Sequence, residues 1–171
     1  MNASSQLSNR QSNGQEPDVL GIAEIFGHLL QGGIARDVIG IDENENEAIY
    51  ALGYFKYSNG KYADALKLFQ LVVLHDHLHR RGLKAIGSCL HILQRHEEAI
   101  KPLGLAMLLD PADPGPAFQI AECMLCTGKK ENAVVVLDKL VEEFGQIHEH
   151  AGIIKKARGL SEFIKFKKII D

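Results

Sequence analysis

The sequence has no tryptophan, only three cysteines and five prolines, and aromatic side chains make up 6% of its 171 residues. An odd trio of cysteines does not make a disulfide framework and fits a reducing cytoplasm. No apolar run approaches the roughly 20 residues that span a bilayer, so direct membrane insertion is not expected. Nor is there an excess of one charge: Lys+Arg 19 against Asp+Glu 22 leaves a net charge of −3. A general nucleic-acid binder needs a basic surface to release counterions from phosphates, and this balance argues against one. The opening residues, Met1 to Ser8, lack the basic start and apolar stretch of a secretory leader. No Gly-rich phosphate loop, Gly-x-Ser-x-Gly elbow or His-Glu-x-x-His helix occurs, so neither an enzyme nor a cofactor is expected.

What is present is an apolar fraction of 46% with few β-type stretches. Residues 1–17 are rich in Ser, Asn, Gln and Gly and read as a flexible tail, because they bury too little to offset their ordering entropy. In 18–45, Ile22, Ile25, Phe26, Leu29 and Leu30 fall at i, i+3, i+4, i+7 and i+8, one stripe of an α-helix that Gly32-Gly33 ends. A link then leads to the acidic run Asp42 to Glu47, which suits a helix N-terminus, where free N–H groups and the dipole favour negative charge.

The decisive signal is a period. Blocks of 34 residues beginning at Asn46, Arg80 and Pro114 place Leu52-Gly53, Ile86-Gly87 and Ile120-Ala121 in one register. Ala65, Ala99 and Ala133 share a second position, Phe69, Leu103 and Leu137 a third, and His77, Pro111 and Gly145 a fourth. This is the tetratricopeptide pattern at its period of about 34 residues. It predicts an all-α array of three helix pairs over 46–79, 80–113 and 114–147. In each pair, small residues let helix A approach helix B. Gly60 and Gly128 supply the turns between paired helices, whereas Gln94 stands there in the second repeat. Residues 148–171 form a further amphipathic segment with the stripe Ile153, Ala157, Leu160 and Ile164. Six basic side chains there face three acidic ones, Glu149, Glu162 and Asp171. Such arrays expose an apolar face at each end, so this segment is expected to be the C-terminal cap and the helix in 18–31 a candidate for the other end.

The A helices of such an array line its concave surface, which usually takes an extended or helical peptide. Helix A positions not used for packing are Tyr50, Tyr54 and Tyr57 in the first repeat, Lys84, Ser88 and His91 in the second, and Phe118, Glu122 and Leu125 in the third. Three of the chain's four tyrosines thus fall on one strip. Cys123-x-x-Cys126 and His75-Asp76-His77-Leu78-His79 invite a metal reading. The first lacks a second pair, and Cys89 and Cys123 share a repeat register, which points to packing; the second sits at a repeat junction. No metal is expected.

The residues also resemble a known family. The run Ile49 to Tyr54, Tyr57-Ser58-Asn59-Gly60-Lys61-Tyr62, Leu74-His75-Asp76-His77, Ala85 to Cys89, Leu109-Asp110-Pro111 and Ala121-Glu122-Cys123 are similar to the class II chaperones of bacterial type III secretion systems, across roughly residues 18–145. The resemblance implies a small cytoplasmic chaperone, usually a homodimer, that holds secreted translocator proteins before export. It implies a groove for an extended Pro-x-Leu-x-x-Pro-like segment that includes Tyr50, Tyr54, Tyr57, His91, Phe118 and Leu125, and a dimer contact at Ile22, Ile25, Phe26 and Leu29. The alternative is a generic tetratricopeptide adaptor or regulatory scaffold. One well-known kind clamps a C-terminal carboxylate with Lys and Asn on the first helix A and with Lys and Arg on the third. Here Tyr50, Tyr54, Gly115 and Gln119 stand at those positions, so that clamp is absent.

Overall fold

The computed structural model describes residues 42–170. The tail at 1–17, the helix expected in 18–31 and the dimer-contact residues Ile22, Ile25, Phe26 and Leu29 lie outside the described residues. Within them the chain forms α1 (Glu43–Ser58), α2 (Tyr62–His75), α3 (Arg80–Ile92), α4 (His96–Leu109), α5 (Gly115–Cys126), α6 (Lys130–Phe144), a 3-10 turn at His148–His150 and α7 (Ala151–Ile170). No strand occurs among the described residues. Each helix packs mainly on the one before and the one after it, so the described residues form a stack of α-hairpins, with α1, α3 and α5 as A helices and α2, α4 and α6 as B helices.

Local chemistry sets the helix ends. Asp42 accepts from the Glu45 backbone N–H at 2.8 Å while Glu45 accepts from that of Asp42 at 3.1 Å, a reciprocal capping box. It starts α1 at Glu43, three residues ahead of the block boundary drawn at Asn46. Each hairpin turn closes in the same way. Lys61 N–H reaches the Lys56 carbonyl, Arg95 N–H that of Leu90, and Lys129 N–H that of Met124, at 2.8–2.9 Å. These are Schellman closures, which need one left-handed residue. Gly60 supplies it at φ +74° and Gly128 at φ +79°, whereas Gln94 adopts φ +60°.

The core repeats with the sequence. Ala65, Ala99 and Ala133 are fully buried, as are Leu103 and Leu137, and Phe69 is almost so. The small A-helix residues face these B-helix side chains: a Cβ on Gly53 would come within 2.8 Å of Phe69 Cε1. Two register positions break the repetition. Ile86 and Ile120 are buried, but Leu52 is 48% exposed; Cys89 and Cys123 are fully buried, but Phe55 is 63% exposed. In α3 and α5 these positions face the B helix of the preceding repeat. Among the described residues, α1 has no preceding B helix.

At the other end α7 packs on α6 and buries Ile154, Ala157 and Ser161, with Ile153, Leu160 and Ile164 half-buried. Ser161 donates to Asp138 Oδ1 at 2.6 Å, and Lys165 Nζ lies 2.7 Å from Asp138 Oδ2. This helix is less polar at its surface than its lysines suggest, since Phe163 and Phe166 are both exposed. Among the described residues no helix is long and apolar enough to cross a membrane.

Candidate peptide-binding groove

The nine residues expected on the inner surface all lie on α1, α3 and α5, but they differ in what they touch. Tyr50 is half-buried: its ring lies 5.4 Å from that of Phe69 and 5.5 Å from that of His79, with the Arg81 guanidinium 4.2 Å above it. Tyr57 is half-buried and meets Tyr62 edge-on at 5.2 Å. Burial, with lesser contributions from neighbouring Cys89, Tyr62 and Tyr54, raises its hydroxyl pKa. Tyr54 stands out at 59% exposed. The tyrosine strip is therefore two rings used for packing and one presented outward.

In the second repeat Lys84 pairs with Asp113, whose Oδ1 also accepts from Gly115 N–H at 2.8 Å at the start of α5. Ser88 Oγ lies 3.0 Å from the Lys84 carbonyl and 3.1 Å from Gln119 Oε1, acceptors that share its single proton. Both residues tie α3 to the next repeat. His91 is half-buried, with Nδ1 3.3 Å from Cys123 Sγ and 3.2 Å from His96 Nδ1. Its Nε2 lies 4.0 Å from Glu122 Oε2. Burial raises the Glu122 carboxyl pKa, partly countered by His91 and Lys156, and pushes the Cys123 thiol up to about 11. Phe118 and Leu125 are half-buried against the third-repeat core.

The polar links between repeats share a spacing close to one repeat. Glu47 accepts from Arg81 at 3.0 Å and lies 3.3 Å from His79 Nε2; Arg80 donates to Asp110 at 2.5 Å, and Lys129 to Glu97 at 3.0 Å. The histidines at 75, 77 and 79 do not converge. His75 is buried, His77 is exposed, and His79 caps α3 through Nδ1, which accepts from Gly82 N–H at 2.9 Å. Sequence reasoning missed His96. It opens α4 and meets His91 only because the left-handed residue Gln94 folds the chain back between them.

A further cleft, about 690 Å³, lies between α6 and α7, where Val134, Leu160, Phe163 and Ile164 form apolar walls and Lys130 and Lys165 stand on the rim. None of the expected groove residues except Leu125 borders it.

Comparison with known proteins places this architecture. No family model matches the chain. The low calcium response locus protein H of Yersinia pestis is 28% identical over 143 residues, covering 84% of this chain and 85% of that protein. The type III secretion chaperone SycD of Yersinia enterocolitica, in complex with a peptide of the translocator YopD, superposes with a TM-score of 0.70 at 28% identity, covering 74% of this chain and 97% of SycD. PcrH of Pseudomonas aeruginosa, in complex with the chaperone binding region of PopD, gives 0.72 at 29% identity, covering 75% and 97%. By sequence and by fold, the chain is similar to the translocator chaperones of type III secretion, a non-enzymatic class of proteins.

Proposed function

We propose that the chain is a cytoplasmic bacterial chaperone of type III secretion that holds an extended segment of a translocator protein in the concave groove formed by α1, α3 and α5. Translocators carry apolar segments suited to a target membrane, which would aggregate or associate prematurely before export. Sequestering such a segment needs no catalytic step; binding favours the separate, unaggregated state by mass action. The observation that carries this reading is the likeness, in sequence and fold together, to SycD and PcrH solved with translocator peptides. The groove is assigned to Tyr50, Tyr54, Tyr57, Lys84, Ser88, His91, Phe118, Glu122 and Leu125. Tyr54 is its main free aromatic contact, while Tyr50, Tyr57, Lys84 and Ser88 chiefly shape its wall.

The working unit is a homodimer joined through Ile22, Ile25, Phe26 and Leu29. Supporting this, the stripe of these residues has helical spacing, and SycD has been solved in an alternative dimer. The test is affinity purification of the tagged chain from its native cell, with identification of what accompanies it. The expected partner is a secreted protein with long apolar segments, encoded near the chaperone's own gene. Recovery of cytoplasmic partners alone, through C-terminal peptides or otherwise, would favour a generic adaptor and overturn the proposal.

A further inference from the structure

His91, His96 and Cys123 come from three different helices, α3, α4 and α5, yet their side-chain ligand atoms all lie within 4.8 Å of one another. Two of the three edges are short: 3.2 Å between the Nδ1 atoms of His91 and His96, and 3.3 Å between His91 Nδ1 and Cys123 Sγ. Zinc binds imidazole at about 2.0–2.1 Å and thiolate at about 2.3 Å, so a tetrahedral ion sets edges of roughly 3.3 Å between two nitrogens and roughly 3.5 Å between nitrogen and sulfur. These two edges match that tetrahedron to within a few tenths of an ångström, and the third, between His96 and Cys123, lies within 4.8 Å.

The surroundings suit an ion as well. Cys123 is fully buried and both histidines are half-buried, so a bound cation would be shielded on the protein side while a fourth position stays open. Metal-binding histidines commonly use one ring nitrogen for the ion and point the other at a carboxylate, which fixes tautomer and orientation. In His91, Nδ1 faces the cluster and Nε2 lies 4.0 Å from Glu122 Oε2, close enough for the charge attraction but a short movement away from a hydrogen bond. The two imidazoles and one sulfur match the donors that zinc favours.

We propose that His91, His96 and Cys123 form a His2Cys site for Zn2+, with Glu122 as the carboxylate that orients His91. The ion would tie the second repeat to the third on the groove side of the array. On coordination the cation replaces the thiol proton of Cys123, which leaves to solvent, and no electron changes hands. The site shares His91 and Glu122 with the proposed groove, but its geometry does not depend on which segment the groove holds.

Cobalt reports on such a site directly. The full chain, stripped with a chelator, is titrated with Co2+ and then with Zn2+. One equivalent of Co2+ should give tetrahedral visible bands and a near-ultraviolet thiolate-to-cobalt band, both removed by one equivalent of Zn2+. Cys123→Ser should abolish the thiolate band, and His96→Ala should weaken binding at least as much as Glu122→Gln, for which a loss of about tenfold is expected. Cys126→Ser and His77→Ala should change nothing. Should Cys123→Ser fail to fold, the half-buried His96 decides, with circular dichroism as the check on helix content. Absence of saturable binding, or binding that survives His96→Ala or depends on Cys126 or His77, would overturn the assignment.

Discussion

A methyl group on Gly87 would lie 2.4 Å from Leu103 Cγ and 2.6 Å from its Cδ2. The obstacle is the branch point of a fully buried leucine, which cannot swing aside as the tip of a long side chain could. Gly87→Ala should therefore force α3 from α4 and cost about 1–3 kcal/mol or more, as overpacking of dense cores does. Gly104 is the internal control, since a Cβ there meets nothing within 4 Å and the residue lies inside α4. Gly104→Ala should stabilise by about 0.5–1 kcal/mol through helix propensity alone. Urea unfolding of both variants measures the contrast; equal effects would mean that the close approach at Gly87 is not a constraint.

The second hairpin turn carries a correctable cost. Gln94 sits at φ +60°, where Gly60 and Gly128 stand in the flanking repeats. A left-handed residue with a Cβ costs roughly 1–2 kcal/mol, of which glycine's greater freedom in the unfolded chain returns part. Gln94→Gly should raise stability by about 0.5–1 kcal/mol with an unchanged denaturant m-value. The same substitution should leave the turn's hydrogen bonds intact, because they involve backbone alone.

Those turns show why the fold was legible. Gly60, Gln94 and Gly128 act through their own backbone conformation, and Ala65, Ala99 and Ala133 through their size, so a 34-residue register carries both into the sequence. Exposure did not transfer in the same way. Leu52 matches Ile86 in register and differs from it because burial depends on the neighbouring helix, which the residue itself does not encode. The candidate groove positions were legible as a set on the A helices, from their spacing, but their individual surroundings were not. Nothing in the tyrosine strip distinguishes Tyr50, stacked between Phe69 and Arg81, from Tyr54, facing outward. The cluster of His91, His96 and Cys123 was illegible because spacings of 5 and 27 residues match no motif. It arises from a turn and a helix crossing together.

Acid should weaken the contact between α6 and the C-terminal cap. Asp138 of α6 accepts from Lys165 and Ser161 of α7, and those hydrogen bonds, with the nearby lysine charge, hold its carboxyl pKa below the ordinary 3.8. A carboxyl depressed in the folded state contributes stability above its unfolded pKa and loses it as pH falls through the folded value. Because the pair is largely solvent-exposed, the contribution is about 0.5–1 kcal/mol at most. Asp138→Asn should lower the melting temperature at pH 7 and flatten its fall below about pH 4 relative to the parent chain. Parallel melting curves for the two proteins across that range would show that the pair contributes nothing.

Tyr50 and Tyr54 separate groove chemistry from groove architecture. Tyr54 is 59% exposed, and its hydroxyl and ring are free to meet an extended chain. Removing an aromatic contact of this kind costs about 2 kcal/mol of binding, near 30-fold in affinity. Tyr54→Ala should therefore weaken capture of a translocator segment by roughly that factor while leaving the melting temperature within a degree or two. Tyr50→Ala removes a ring lodged against Phe69, His79 and Arg81, so it should cost about 2–3 kcal/mol of stability and weaken binding only through the deformed wall. A double substitution at Tyr50 and Tyr57 would confound the two effects, because both rings pack on the first-repeat core. Fluorescence titration of a labelled translocator peptide, paired with thermal melts of each single variant, resolves them. Full affinity in Tyr54→Ala would remove this tyrosine from the groove's contact surface.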